Sequence, residues 1–90
     1  MKKTIITVIG KDQVGIIAKV CTYLAAHNIN ILDIDQSIIQ GFFHMMMIVD
    51  ANAADKDFTS LVDDLAALGD EMGLQIKMQH EDIFNVMHRI

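Results

Sequence analysis

The residues best placed to do chemistry form one run, Gly10-Lys11-Asp12-Gln13-Val14-Gly15-Ile16-Ile17. It follows a β-branched stretch, Thr4-Ile5-Ile6-Thr7-Val8-Ile9, that reads as a strand. It leads into an apolar-periodic stretch, Val14 to about His27, that reads as a helix. A strand entering a helix through a tight, glycine-bounded loop leaves backbone N–H groups without partners at the helix start. The helix dipole adds partial positive charge there. A small anionic group, a carboxylate or a phosphate, can dock on such amides, and two glycines let a ligand or another backbone come close. On this reading Gly10, Asp12, Val14, Gly15 and Ile16 are ligand-binding candidates. The same residues also suit a plain strand-to-helix turn, with Asp12 as N-cap and the glycines present for turn geometry.

Other reactive side chains form no recognisable constellation. The histidines, His27, His44, His80 and His88, show no zinc-type spacing, which leaves only a convergence of His44 and His80 through folding. Asp33 and Asp35 share one strand face, as a paired-carboxylate site would, and equally as a solvated or dimer-edge face would. Ser37, Ser60 and Cys21 lack a base-bearing context. The loop is no phosphate-binding P-loop, because GxxxxGK[ST] is absent. The expectation is a protein with no catalytic residues, no metal and no cofactor.

Composition narrows the partners. Twelve acidic against seven basic residues give a formal charge of −5, and no Lys/Arg cluster exceeds a pair. A direct nucleic-acid surface is usually basic, so none is expected. Hydrophobic residues make up 52% of the 90, with a mean hydropathy of +0.34. That is more apolar content than one small core requires, which points to a second covered surface and most simply to a homodimer. No apolar run is long enough to span a bilayer. The basic Met1-Lys2-Lys3 start is followed only by a short β-branched run, so neither signal peptide nor membrane contact is expected, and the location reads as cytoplasmic. A single cysteine, Cys21, permits no internal disulfide and reads as a buried, inert thiol.

The elements that must hold the loop follow from periodicity. The first strand is apolar on both faces, as a central strand is. The first helix places Val14, Ile17, Ala18, Cys21, Leu24 and Ala25 on one face, and Asn28 suits a left-handed cap after it. A second strand, about Asn30 to Gln40, alternates Leu32, Ile34 and Ile38 against Asp33, Asp35 and Ser37, which predicts a half-buried strand. Gln40-Gly41 turns into a third strand, Phe42 to Val49, apolar on both faces. Asp55 or Asp57 can cap a second helix whose core face is Phe58, Leu61, Val62, Leu65, Leu68 and Met72. Gly73 stops it. Leu74 to His80 alternates as a fourth strand with one solvated face, and residues 81–90 carry Ile83, Phe84, Met87 and Ile90 at the spacing of a short amphipathic helix.

Strand, helix, strand, strand, helix, strand is a split β-α-β unit repeated, the ferredoxin-like α+β pattern. Right-handed crossovers put both helices on one sheet face with strand order 4-1-3-2. The whole of residues 1–90 reads as one domain, with a core of about 3–80.

With these residues and this order in place, the chain resembles the ACT domain, a small amino-acid-sensing regulatory module, over about residues 3 to 80. The opening "ITVIGKDQVGIIAKV" is similar to free-standing bacterial ACT proteins, to glycine-cleavage repressors and to the regulatory domain of formyltetrahydrofolate deformylase. The resemblance implies a regulatory, non-catalytic protein whose effector sits where two domains meet. There it would touch the loop after the first strand and the start of a neighbour's second strand. Asp12, Gly15 and Ile16 match the family's loop positions, and Asn30 matches the asparagine common at the second strand's start. Gly10 stands where some serine-binding members carry a polar residue, which speaks against serine. In this frame the amides of Gly15 and Ile16 would take a ligand carboxylate, Asp12 would pair with its amine, and Asn30 would both donate and accept. The partner of such a module would be an enzyme or a transcription regulator, and residues 82–90 offer an alternative, ligand-free docking segment.

Overall fold

The structure, a computed structural model, describes residues 3–80. In chain order the elements are β1 (Lys3–Lys11), α1 (Ile16–Ala26), β2 (Asn30–Ile39), β3 (Phe42–Asp50), α2 (Phe58–Met72) and β4 (Leu74–His80). The strands form one antiparallel sheet in the order β2-β3-β1-β4. This is the expected ferredoxin-like βαββαβ arrangement. The amphipathic segment with Ile83, Phe84, Met87 and Ile90 lies outside the described residues.

The core lies between the helices and one sheet face. Ile6 and Val8 of β1, Met45, Met47 and Val49 of β3, and Leu74, Ile76 and Met78 of β4 are buried there. Ile16, Val20 and Leu24 of α1 and Leu61 and Leu65 of α2 complete the cluster. The helices cover only one face of β1 and β3; on the other, Ile9 and Phe42 are 47% and 59% exposed and Met46 and Ile48 are half-buried, so the central position of these strands does not by itself explain their two-sided apolar sequence.

Turn chemistry fixes the ends of the elements. Gln40 and Gly41 both take positive φ, 51° and 82°, the twist a two-residue hairpin between right-twisted strands needs. Asn28 is left-handed at φ 61° beyond α1, and its side chain donates to the Ala53 carbonyl at 3.1 Å. Asp57 occupies the N-cap of α2, where Ser60 Oγ donates to its carboxylate at 2.6 Å. This hydrogen bond holds the Asp57 carboxyl below its usual range. Gly73 closes α2 in the left-handed conformation. Gly69 lets α2 settle against β4: a Cβ there would stand 2.7 Å from the Leu74 carbonyl oxygen.

Three expectations need correction. The first helix begins at Ile16, and its buried stripe is Ile16, Val20 and Leu24. Val14 is fully exposed, Ile17 is 37% exposed, and Ala18 and Ala25 are exposed too. Apolar residues surround most of this helix, so two adjacent stripes compete, and contact with the sheet selects the one beginning at Ile16. Cys21 is half-buried and free, beside the core. The second strand is exposed nearly throughout. Leu32 is the extra residue of a β-bulge between Ile31 and Asp33. Ile34 and Ile38 flank Met47 and Phe43 on the helix side, yet they stay 42% and 59% exposed, because the helices cover the other three strands.

Candidate functional site

β1 runs to Lys11, two residues beyond the expected strand end. Its ladder continues into the loop, where the Asp12 N–H donates to the Gly41 carbonyl at 2.9 Å. The loop start is thereby tied to the β2–β3 hairpin. Its other side is tied to α2: Gln13 Nε2 donates to the Met72 carbonyl at 2.7 Å. That carbonyl is one of the last-turn acceptors for which a helix has no internal donor.

Gly15 is the N-cap of α1, at φ 90° and ψ 4°, a left-handed conformation that only glycine adopts at little cost. No side chain caps the helix, and no acidic residue stands in its first turn. The first helical bond from the cap runs from the Lys19 N–H to the Gly15 carbonyl, at 3.0 Å. The N–H groups of Ile16, Ile17 and Ala18 precede it, and they face the positive end of the dipole without a side-chain acceptor. Asp12 is exposed and does not cap α1, which removes the plain-turn role expected for it.

These residues line an open cleft of about 310 Å3. Its walls are Asp12, Gln13, Gly15, Ile16, Ile17 and Ala18 from the loop and α1, Gln36 and Ile38 from β2, and Phe43 from β3. One carboxylate, a set of uncapped amides, two side-chain amides and an apolar wall meet there. The broader groove between α1 and α2, about 430 Å3 and lined by Ala18, Lys19, Thr22, Tyr23, Leu68 and Glu71, has no such convergence of backbone donors.

The candidate residues fall in four places. Asp12, Gly15 and Ile16 come together in the cleft. Gly10 lies within β1, opposite Phe43 and Leu74. A Cβ there would run into Leu74 Cδ2 and come within 3.3 Å of the Gly73 carbonyl, so this glycine serves strand packing. Val14 projects wholly into solvent from the loop tip. Asn30 pairs with Asp50, which in turn pairs with Lys3, whereas the loop adjoins Lys11, Phe42 and the hairpin. Asn30 and the cleft therefore stand at opposite ends of the sheet within one chain. Gln13, Gln36, Ile38 and Phe43 were not singled out from the sequence. The signal for Gln36 was available: it interrupts the apolar stripe of Ile34 and Ile38, and a polar residue on such a stripe is a site candidate.

Among the described residues the histidines do not converge. His44 lies on the sheet face opposite the helices, paired with Ile9 and Ser37. His80 stacks on Phe58 at the other end, ring centroids 4.0 Å apart. Among the described residues no group of three or more His, Cys, Asp or Glu side chains is placed to hold a metal ion. No helix among them is long and apolar enough to cross a membrane.

A polar network ties the helices together behind the site. Tyr23 of α1 donates to Asp64 Oδ2 of α2 at 2.6 Å, and Lys56 donates to the same oxygen at 2.7 Å. Hydrogen bonds from Lys56 and Tyr23 hold the Asp64 carboxyl below its usual range. Burial, then the bond to Asp64, pushes the Tyr23 phenol well above its ordinary value. The His27 ring lies tilted at 49° to that of Tyr23, centroids 4.5 Å apart, and meets Asp55 at 2.7 Å.

Comparison with known proteins agrees with this architecture. Residues 2–79 match the family model described as ACT domain. A UPF0237 protein of Bifidobacterium longum is 61% identical over 90 residues, covering all of both chains. A UPF0237 protein of Methanocaldococcus jannaschii is 47% identical, again over the full length of both. Among solved structures, an ACT domain protein from Streptococcus pneumoniae superposes with a TM-score of 0.80 at 38% identity, covering 92% of this chain and 93% of that one. A formyltetrahydrofolate deformylase from Pseudomonas syringae carries the same fold in 28% of its length, matching 89% of this chain with a TM-score of 0.82 at 23% identity. Fold and sequence agree, and the chain belongs to the ACT domain family.

Proposed function

We propose that this protein is a non-catalytic, cytoplasmic regulatory module that binds an amino acid or similar small metabolite where two copies meet. Ligand occupancy then modulates a partner enzyme or transcription regulator. The observation that carries the reading is the cleft, where uncapped N–H groups of α1 and the Asp12 carboxylate open onto one space. A zwitterion needs both. Its carboxylate sits on the amides of Ile16, Ile17 and Ala18, and its ammonium pairs with Asp12. Ile17, Ile38 and Phe43 leave an apolar wall for the ligand side chain, which favours an aliphatic amino acid over a charged one. Asn30 reaches such a ligand only from a second copy, as the family resemblance implies, since its own strand start is remote from its own loop.

Isothermal titration against leucine, valine, serine, glutamate and lysine tests the reading. Aliphatic amino acids should bind, and Asp12→Ala should weaken them by roughly tenfold to a hundredfold, the loss of one charge-assisted hydrogen bond. Asn30→Ala should weaken binding in the same direction. Affinity unchanged in both variants, or no binding across the panel, would remove the site.

A further inference from the structure

Charge is spread unevenly over the molecule. On the sheet face away from the helices, Lys3, Lys11 and Lys77 stand against Asp33, Asp35 and Asp50. The helical face has no such balance. From its N-cap Asp57 to Gly73, α2 carries five carboxylates and no lysine or arginine. Ser60 engages Asp57, and Tyr23 and Lys56 engage Asp64. Asp63, Asp70 and Glu71 are exposed, and among the described residues none of them forms an ion pair. Glu71 also stands in the last turn of α2, where no basic residue offsets it. The helix dipole is negative there, so the carboxylate opposes it and deepens a field that an outside cation relieves.

Beside this charge runs the groove between α1 and α2, about 430 Å3. The helices run antiparallel: Tyr23 meets Asp64, while Gln13, ahead of α1, meets Met72 at the end of α2. Ala18 and Thr22, one turn apart on α1, are small and exposed, and Leu68 on the α2 wall is half-buried. Together they leave room for large apolar side chains supplied from outside. Asp63 and Glu71 lie about two turns apart, on the side of α2 away from its buried Leu61, Leu65 and Gly69. Lys19 is the one cation of the lining, and it stands on the α1 wall.

We propose that this groove takes an amphipathic helix of a partner protein, which lays an apolar stripe between Thr22 and Leu68 and sets lysine or arginine over Asp63 and Glu71. The surface rests on the partner named in the proposed function and says which face meets it. A helix fits where an extended peptide does not. The groove walls are helices, so a strand would bury backbone groups without partners, whereas a helix satisfies its own. A nucleic acid or an anionic membrane would bring phosphates to a wall already negative. A second copy would bring the same carboxylates of α2 against their twins. Ala18 lines both the groove and the ligand cleft, so a helix seated here lies beside the proposed effector.

NMR titration of the 15N-labelled full chain tests this with an end-capped helical peptide that carries leucines along one stripe, lysines on one flank and glutamines on the other. It should shift the amides of Ala18, Thr22, Leu68 and Glu71, and bind more weakly as salt rises. Versions with glutamate for lysine, or alanine for leucine, should not bind. Glu71→Lys should weaken the lysine peptide about tenfold, and Glu71→Gln should weaken it less but in the same direction. Asp70→Lys makes the same charge change on the β4 side of α2, where Asp70 lines a different pocket, and should cost much less. Thermal melts of each variant check that the fold is kept. No binding, shifts centred on β2 or the bare sheet face, equal binding of either control peptide, or equal losses in Asp70→Lys and Glu71→Lys would overturn the proposal. The titration is run without amino acid. Peptide binding beside a failed leucine titration therefore removes the ligand reading and leaves the groove, and leucine binding without peptide binding does the reverse.

Discussion

Tyr23 and Asp64 show how two ordinary side chains couple the helices to pH. The Asp64 carboxyl titrates below its unfolded value because Lys56 and Tyr23 donate to it. Its contribution to stability is therefore complete above the free carboxyl range, near ~4, and fades as pH falls through the lower folded value. The Tyr23 phenol is raised, by burial first. Its contribution is complete below the free phenol value of about 10 and is lost as pH rises through the higher folded value. Thermal melts across this range should show both declines, and Tyr23→Phe should weaken the alkaline one, leaving the part that Lys56, also raised by its bond to Asp64, carries, while reducing the acidic one. An unchanged alkaline profile in Tyr23→Phe would show that the phenol carries no coupling. At this scale the sequence was half legible. Gly15 stood out by its spacing, and it holds the left-handed cap. Asp12 stood out as well, but as a cap it fails, because the chain stays extended to Lys11 and α1 starts only after Gly15. Hydrogen bonds such as Gln13 to Met72 join residues 59 positions apart, and no local pattern announces them.

Elements were read best where the fold leaves one solution. α2 has a single apolar stripe, and Leu61 and Leu65 lie buried as its spacing requires. β4 alternates and buries Leu74, Ile76 and Met78. α1 offered two stripes, and local periodicity carries no information about which one the sheet accepts. β2 misled for a different reason: alternation reports that one face is apolar, not that anything in the same chain covers it. The close approach of α2 to β4 makes a sharp prediction. Gly69→Ala improves intrinsic helix propensity, yet its Cβ would press on the Leu74 carbonyl oxygen at 2.7 Å. Backbone cannot yield as a side-chain tip can, so the variant should lose about 1–3 kcal/mol, measurable by urea unfolding. A gain in stability would mean that α2 can shift away from β4 freely.

For the whole molecule, exposed Ile34, Ile38 and Ile39 of β2 and the adjoining Phe42 make up half of the exposed large apolar residues among those described, the others being Ile9, Val14, Ile17 and Leu32. If a second copy covers them, folding and association are linked. The melting temperature should then rise by roughly 5–10 °C over a hundredfold increase in protein concentration, as differential scanning fluorimetry or calorimetry would record. A flat response would mean that the monomer alone carries the stability. The bond from Gln13 to the end of α2 bears on what happens at the cleft. It braces the rim with a helix drawn from the other half of the chain. A ligand bound as proposed would meet a rim already tied to that helix, leaving less freedom for its capture to remove.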